Sequence, residues 1–246
     1  QKQLRCGYTT GTCAALAAAG AAMLLLSGKK PETLSLTTPK GIPVEVAPAY
    51  LHLRERTAVC GVVKDGGDDA DATHGLTVEA HVKQSKQPGI AIDGGEGVGR
   101  VTKPGLDQPV GFAAINRVPR RMIEEQVQQV CDAAGYDGGM EVLICIPGGK
   151  EVAEKTFNPV RGVEGGLSIL GTSGIVEPMS QQALVDTIAL EVGQIAALGT
   201  KRLLLTPGNY GEDFLQETGL AGREVPVVKC SNFIGAALDI AGTPPC

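Results

Sequence analysis

The sequence predicts two domains of different construction: an α+β amino-terminal domain with antiparallel strands over residues 1–160, then an α/β domain with a parallel sheet over residues 161–246. Three observations carry this. Cys13 to Leu26 is an alanine-rich apolar run that reads as a helix buried on every side. Short alternating segments separated by turn residues follow it and read as antiparallel strands. From Gly162 onward, apolar runs ending in glycine loops alternate with helical patterns, in the order strand, helix, strand, helix, strand. That order is Rossmann-like, and right-handed crossovers would gather the carboxyl ends of its strands around one crevice.

The composition supports a full core and excludes several function classes. With 246 residues, 43% of them hydrophobic, the chain can bury two modest domains. A net charge of −5 with no basic tail or stripe argues against nucleic-acid binding. The aromatic share of 3%, without Trp, supplies few stacking platforms. Seven cysteines at 6, 13, 60, 131, 145, 230 and 246 form no CxxC pair and read as reduced, cytoplasmic thiols. The Cys13–Leu26 run is too short to span a bilayer and leads into Ser27-Gly-Lys-Lys-Pro31 without a cleavage pattern, so it reads as a core helix and no membrane is expected. Association into a homo-oligomer stays open.

In the first domain, Arg5-Cys-Gly-Tyr-Thr-Thr-Gly-Thr-Cys13 opens that helix, and its threonines serve either as plain caps or, with Arg5, as an anion site. Residues 34–38 and 42–47 flank Pro39-Lys-Gly41 as a hairpin; 58–64 and 76–82 are two further strands. The loop between them holds Asp65, Asp68, Asp69, Asp71 and His74. It matches neither calcium-loop nor zinc spacing, so a solvated or substrate-facing loop without metal is expected. Asp93 to Gly105 is rich in glycine and is either a structural hairpin or a binding loop whose Arg100 and Lys103 meet anions; no helix opens after Gly95-x-Gly-x-Gly99, so the dinucleotide fingerprint is unmet. A helix then starts near Asn116, with Pro119 in its first turn and Ile123, Val127, Val130 and Ala134 as its buried stripe. Arg117, Arg120 and Arg121 crowd its amino end, where the helix dipole disfavours cations unless an anion joins them. Residues 140–146 make a buried strand, and 156–166 cross into the second domain.

That domain begins with the strand Leu167–Leu170, which ends in Gly171-Thr-Ser-Gly174. Ser180 caps a helix with Leu184, Ile188, Val192 and Ile195 on one face, closed by Gly199. Residues 202–206 and 225–230 are strands ending in Pro207-Gly-Asn-Tyr-Gly-Glu212 and Ser231-Asn-Phe233. The expected crevice is lined by Gly171, Thr172, Ser173, Gly174, Glu177, Gly208, Asn209, Gly211, Glu212, Ser231 and Asn232.

These segments together resemble the cobalt-precorrin-5B C1-methyltransferase family of anaerobic cobalamin biosynthesis. The resemblance rests on Arg5–Ala15, Lys64–Gly75, Gly94–Leu106, Ala114–Arg121, Lys155–Pro159, Gly166–Met179, Pro207–Gly211 and Lys229–Gly235, in the same order over nearly the whole chain. It implies methyl transfer from S-adenosylmethionine to C-1 of cobalt-precorrin-5B, giving cobalt-precorrin-6A. It implies too that the family continues past Cys246 with another strand, a Gly-His-x-Gly-Lys-like loop and further helices, so the second domain is expected to be incomplete here. Such chemistry needs no protein nucleophile, only alignment and exclusion of water, and no catalytic residue is singled out. The carboxylates of a cobalt-tetrapyrrole partner would suit Arg5, Thr9, Thr10, Gly11, Thr12, Arg100, Lys103, Arg117 and Arg120, with Asp65 and Asp68 facing the same ligand; S-adenosylmethionine would take the second-domain crevice. The rival readings are a non-catalytic tetrapyrrole carrier or scaffold and a metal-dependent hydrolase using Asp65 to His74.

Overall fold

The protein is described from a computed structural model covering residues 4–69, 71–154, 156, 162–178, 181–200, 202–207, 214 and 225–242. It divides into two compact units, Gln1–Thr102 with Asp107–Pro178, and Lys103–Leu106 with Met179–Cys246.

Helix α1 (Thr10–Ser27) organises the first unit. By length and apolarity it could cross a membrane, yet 78% of it is buried inside the fold. Thr9 caps its start, its hydroxyl accepting from the Thr12 N–H, and Gly28 in the left-handed region ends it. A short strand, β1 (Gly7–Tyr8), precedes it, and the expected hairpin follows as β2 (Leu34–Thr37) and β3 (Pro43–Val46).

The main sheet contains β4 (Tyr50–Arg54), β5 (Thr57–Val63), β6 (Thr77–Ser85), β7 (Ile90–Gly94) and β9 (Gly139–Cys145), in the order β4-β5-β6-β9-β7. All neighbours are antiparallel except β7 and β9. Alternation decides its faces. Val78, Ala80 and Val82 of β6 are wholly buried beside Ala58, Cys60 and Val62 of β5 and Val142 and Ile144 of β9. This face packs on α1, which packs on α2 (Arg117–Ala134). Glu79, His81 and Lys83 of β6 point to the opposite face, which no helix of this unit covers among the described residues. Strands β4 and β7 escape the sequence reading because each is short and mixes apolar with charged residues.

One expectation is overturned. Leu167–Leu170 does not join the parallel strands of the second unit; it bridges to Val98 and Ile115 in the first, flanked by β8 (Arg100–Val101) paired with β10 (Val163–Glu164). Its residues alternate, Leu167 and Ile169 buried and Leu170 exposed, as suits a segment with one buried side rather than a parallel-sheet centre. After it, β11 (Ile175–Val176) pairs with β1, so the units part near Pro178 rather than at 160.

The second unit holds α4 (Gln181–Ala197), β12 (Leu204–Thr206) parallel to β13 (Val227–Lys229), and α5 (Ile234–Gly242); α3 (Gly149–Ala153) belongs to the first. Ile188, Val192, Val228, Cys230 and Ala237 form its core, with Ile195 packed against it. Gly199 adopts the expected left-handed conformation, but Leu184 is exposed, as is Ala134 at the end of α2; Ser180 lies outside the described residues.

The 94–99 loop is a backbone knot. A Cβ on Gly97, at φ +71°, would lie 1.9 Å from the Ile146 carbonyl oxygen. By contrast Gly89, at φ +88°, faces open space. Gly97→Ala is therefore expected to cost about 3 kcal/mol or more, from left-handed strain plus overpacking, and Gly89→Ala only about 1–2 kcal/mol. Urea unfolding of both variants checks the difference.

Candidate functional site

The amino end of α1 brings together residues that the sequence reading divided between two ligands. The Thr9 N–H donates to the Gly174 carbonyl (3.1 Å), the Gly11 N–H to Leu170 (2.9 Å) and the Thr12 hydroxyl to Gly174 (2.7 Å). In return, Thr10 Oγ1 accepts from the Leu170 N–H at 2.9 Å. These groups bond one another, and the helix end is capped from within. A Cβ on Gly171 would lie 2.2 Å from Thr9 Oγ1, and one on Gly174 2.7 Å from Thr38 Cβ. Both glycines thus admit protein neighbours. Ser173 bonds the Ile175 backbone, Thr172 is exposed, and Glu177 pairs with Lys40.

Beside this end lies the 65–75 loop. The Arg5 guanidinium clamps the Asp65 carboxylate, and the Arg5 N–H donates to Asp68 at 2.8 Å. The hydrogen bond from Arg5 holds the Asp65 carboxyl at about 2, below its ordinary 3.8. Lys64 is only 1% exposed, and its ammonium donates to Asp71 at 2.6 Å. Burial would raise the Asp71 carboxyl, but bonds from Lys64 and Thr73 outweigh it and hold it below its ordinary value. His74 Nδ1 accepts from the Gly66 N–H at 3.0 Å. Among the described residues no group of three or more His, Cys, Asp or Glu could hold a metal ion.

The remaining cations also have partners within the chain. Arg117 meets Asp107 through both its N–H and its guanidinium (Nε to Oδ1, 2.7 Å), so the anion demanded by the amino end of α2 is supplied by the protein itself. Arg120 donates to the carbonyls of Ile115 and Ile92 at 2.8 and 2.9 Å, tying α2 to the sheet. Burial pushes its guanidinium below the ordinary value. Arg100 grips Asp93 with two bonds of 2.9 and 3.1 Å, both side chains about half exposed. Lys103 lies in the second unit.

Of the expected cofactor residues, Gly208, Asn209, Gly211 and Glu212 lie outside the described residues. Ser231 and Asn232 are exposed in a turn at the carboxyl end of β13, and Ser231 takes φ +47°. Gly171 and Gly174, by contrast, are closed on Thr9 and Thr38.

The sequence reading missed a third cluster, on the uncovered face of the main sheet. Tyr50 and His81 both bond Glu79, the latter through Nε2 at 2.7 Å, and His81 borders a depression of about 590 Å³. Its signal was the alternation Thr77, Glu79, His81, Lys83, which puts four polar groups on one side of a strand.

Comparison with known proteins fixes the family. A CbiD family model matches residues 1–178. The chain belongs to the CbiD family. It is 46% identical over 241 residues to the cobalt-precorrin-5B C(1)-methyltransferase of Ruminiclostridium cellulolyticum, covering 98% of this chain and 62% of that protein. The same name and a 46% identity over 240 residues belong to a Thermoanaerobacter relative, covering 98% of this chain and 64% of the relative. The chain thus spans somewhat less than two thirds of the length of these curated relatives. The 1.9 Å crystal structure of the cobalamin biosynthesis protein (cbiD) from Archaeoglobus fulgidus superposes with a TM-score of 0.57 at 30% identity, covering 97% of this chain and 74% of that one. This family member supports the mixed α and β architecture with antiparallel and mixed sheets.

Two stability outcomes follow from the site's ion pairs. Asp71→Asn strands the buried Lys64 charge and is expected to cost about 3–5 kcal/mol, whereas replacing both partners by apolar residues costs less. The Asp65 carboxyl is held below its ordinary value, so its contribution is complete above about pH 4 and lost as pH falls toward about 2. Arg5→Ala should lower the urea midpoint at neutral pH and converge with the wild type near that lower limit.

Proposed function

We propose that this chain supports methyl transfer from S-adenosylmethionine to C-1 of a cobalt-precorrin-5B, in the cytoplasm. The observation that carries this is the 46% identity, across 98% of the chain, to a protein named for that reaction. The first unit would hold the tetrapyrrole. The second, read as Rossmann-like from its parallel β12 and β13 with flanking helices, would hold the methyl donor through Ser231 and Asn232 and through Gly208, Asn209, Gly211 and Glu212, which follow β12 in the sequence.

When bound, the donor supplies an electrophilic methyl group on a sulfonium. The chain's own residues would align the acceptor carbon with it, exclude water and neutralise the acceptor's carboxylates. A protein nucleophile is unnecessary, and the internal thiols are poor ones: burial pushes Cys13 and Cys60 up to about 12. Among the expected substrate cations, Arg5, Arg117 and Arg100 are exposed side chains held in ion pairs whose carboxylate a ligand carboxylate can replace. Arg120, half-buried and bonded to the Ile115 and Ile92 carbonyls, is better suited to holding the fold.

Isothermal titration with S-adenosylmethionine, followed by mass spectrometry of a cobalt-precorrin incubated with it, tests the reading. Binding together with a product heavier by one methyl group is expected, and Asn232→Ala should weaken donor binding by about tenfold through loss of a hydrogen bond. Neither binding nor product would sink the proposal.

A further inference from the structure

The face of the main sheet that no helix of its own unit covers among the described residues has the features of a reaction chamber. Its rows follow from the strand register: His52, Val59, His81, Leu143 and Asp93 lie side by side across the sheet, and Thr57, Lys83, Glu141 and Ala91 form the next row. Over β6, β9 and β7 lies the depression of about 590 Å³, bordered by His81, Lys83, Asp93, Glu141 and Leu143. That volume is in the range of small-molecule sites, about 300–1,000 Å³. Its floor is flat and partly apolar.

One side chain on it is held as a working group. The Tyr50 ring lies over Gly61, where a Cβ would approach its Cζ to 2.5 Å, and its hydroxyl donates to Glu79. Burial would raise the Glu79 carboxyl, but the bonds from His81 and Tyr50 hold it below its ordinary value, so it is a carboxylate that only accepts. The His81 bond of 2.7 Å to Glu79 therefore uses an Nε2–H. In the neutral imidazole Nδ1 is then the lone-pair nitrogen, and it has no hydrogen-bond partner among the described residues. A base oriented by a carboxylate on its far nitrogen is the arrangement used for proton transfer. The ion pairs at the border are exchangeable: Lys83 with Glu141 (2.8 Å), both bordering residues, and Asp93, also at the border, with Arg100 are about half-exposed pairs.

We infer that this depression seats the flat, polycarboxylate methyl acceptor and that His81, positioned by Glu79, takes the proton released when its ring carbon is methylated. The inference rests on the methyltransferase reading. The ring carbon's π pair forms the new C–CH₃ bond, and the C–S pair returns to the sulfur of the methyl sulfonium donor. The positive charge left on the conjugated ring is discharged by breaking an N–H or C–H bond conjugated with it; the pair stays on the ring and the proton moves to His81 Nδ1. Lys83 and Arg100 turn from Glu141 and Asp93 to the acceptor's carboxylates.

The chain has three histidines, so ring-¹⁵N labelling gives a resolved readout of binding. The probe is dicyanocobyrinic acid, a polycarboxylate corrinoid with both axial positions blocked by cyanide. It should move the His81 ring signals and leave those of His74 in place, and Lys83→Ala should weaken its binding by about tenfold. With cobalt-precorrin-5B and S-adenosylmethionine, His81→Gln should lower kcat by about 100-fold or more with little change in KM, and abolish the acid limb of the pH profile. Imidazole should restore part of the rate to His81→Ala, and Glu79→Gln should lower kcat without changing the circular dichroism spectrum. Corrinoid binding that leaves His81 unmoved overturns the seat; an unchanged kcat and pH profile in His81→Gln overturns the base. Both leave the methyltransferase reading intact when the wild type binds the donor and makes product. A wild type that does neither overturns the reading and this inference together.

Discussion

A helix with no polar side must have its free N–H groups satisfied inside the protein, and that requirement shapes the first unit. Helix α1 is buried through most of its length, so water cannot serve its first turn. Each buried, unbonded N–H costs about 1–3 kcal/mol. The Leu170 carbonyl takes the Gly11 N–H and the Thr9 hydroxyl that of Thr12, while the Gly174 carbonyl fixes the Thr9 N–H just before the helix; both carbonyls come from a segment some 160 residues away that must run back across β1 to deliver them. The two-residue pairing of β1 with β11, the closeness of Gly171 to Thr9 and the placing of the unit boundary after Pro178 all follow from this return.

Charge is distributed on the same principle, with burial setting how firmly each pair is held. Lys64 and Asp71 sit where neither can exchange partners cheaply, and they lock the 65–75 loop to the end of β5. Arg100 with Asp93 and Lys83 with Glu141 are exposed enough for their partners to be replaced.

Much of this was legible in the residues. The alanine run, the hairpin at Pro39–Gly41, the stripe Ile123, Val127 and Val130, and the left-handed Gly199 declare themselves through local rules of periodicity and capping. What was not legible depends on partners distant in sequence or on context. Leu167–Leu170 looks like any short strand, and only its neighbours Val98 and Ile115 place it in the first unit. The crowded arginines of α2 did point to an anion, but nothing local said that it would be Asp107. Glycine richness at 94–99 and 171–174 signals close approach of backbone without saying to what; here the partners include Ile146, Thr9 and Thr38.

The same ambiguity explains why the polar face of β6 passed unnoticed. Glu79 and His81 read as ordinary outward residues of a half-buried strand, and most residues in that pattern are only solvated. What distinguishes them is the third partner: Tyr50, two strands away, is held over Gly61 and completes a bonded chain ending at an imidazole nitrogen beside a hollow. A solvated strand face has no need to order a histidine through a carboxylate and a phenol. A reaction that requires alignment and one proton acceptor, with no nucleophile, would leave a trace of this modest kind: a partly apolar floor, an exchangeable cation at its border and a single oriented base.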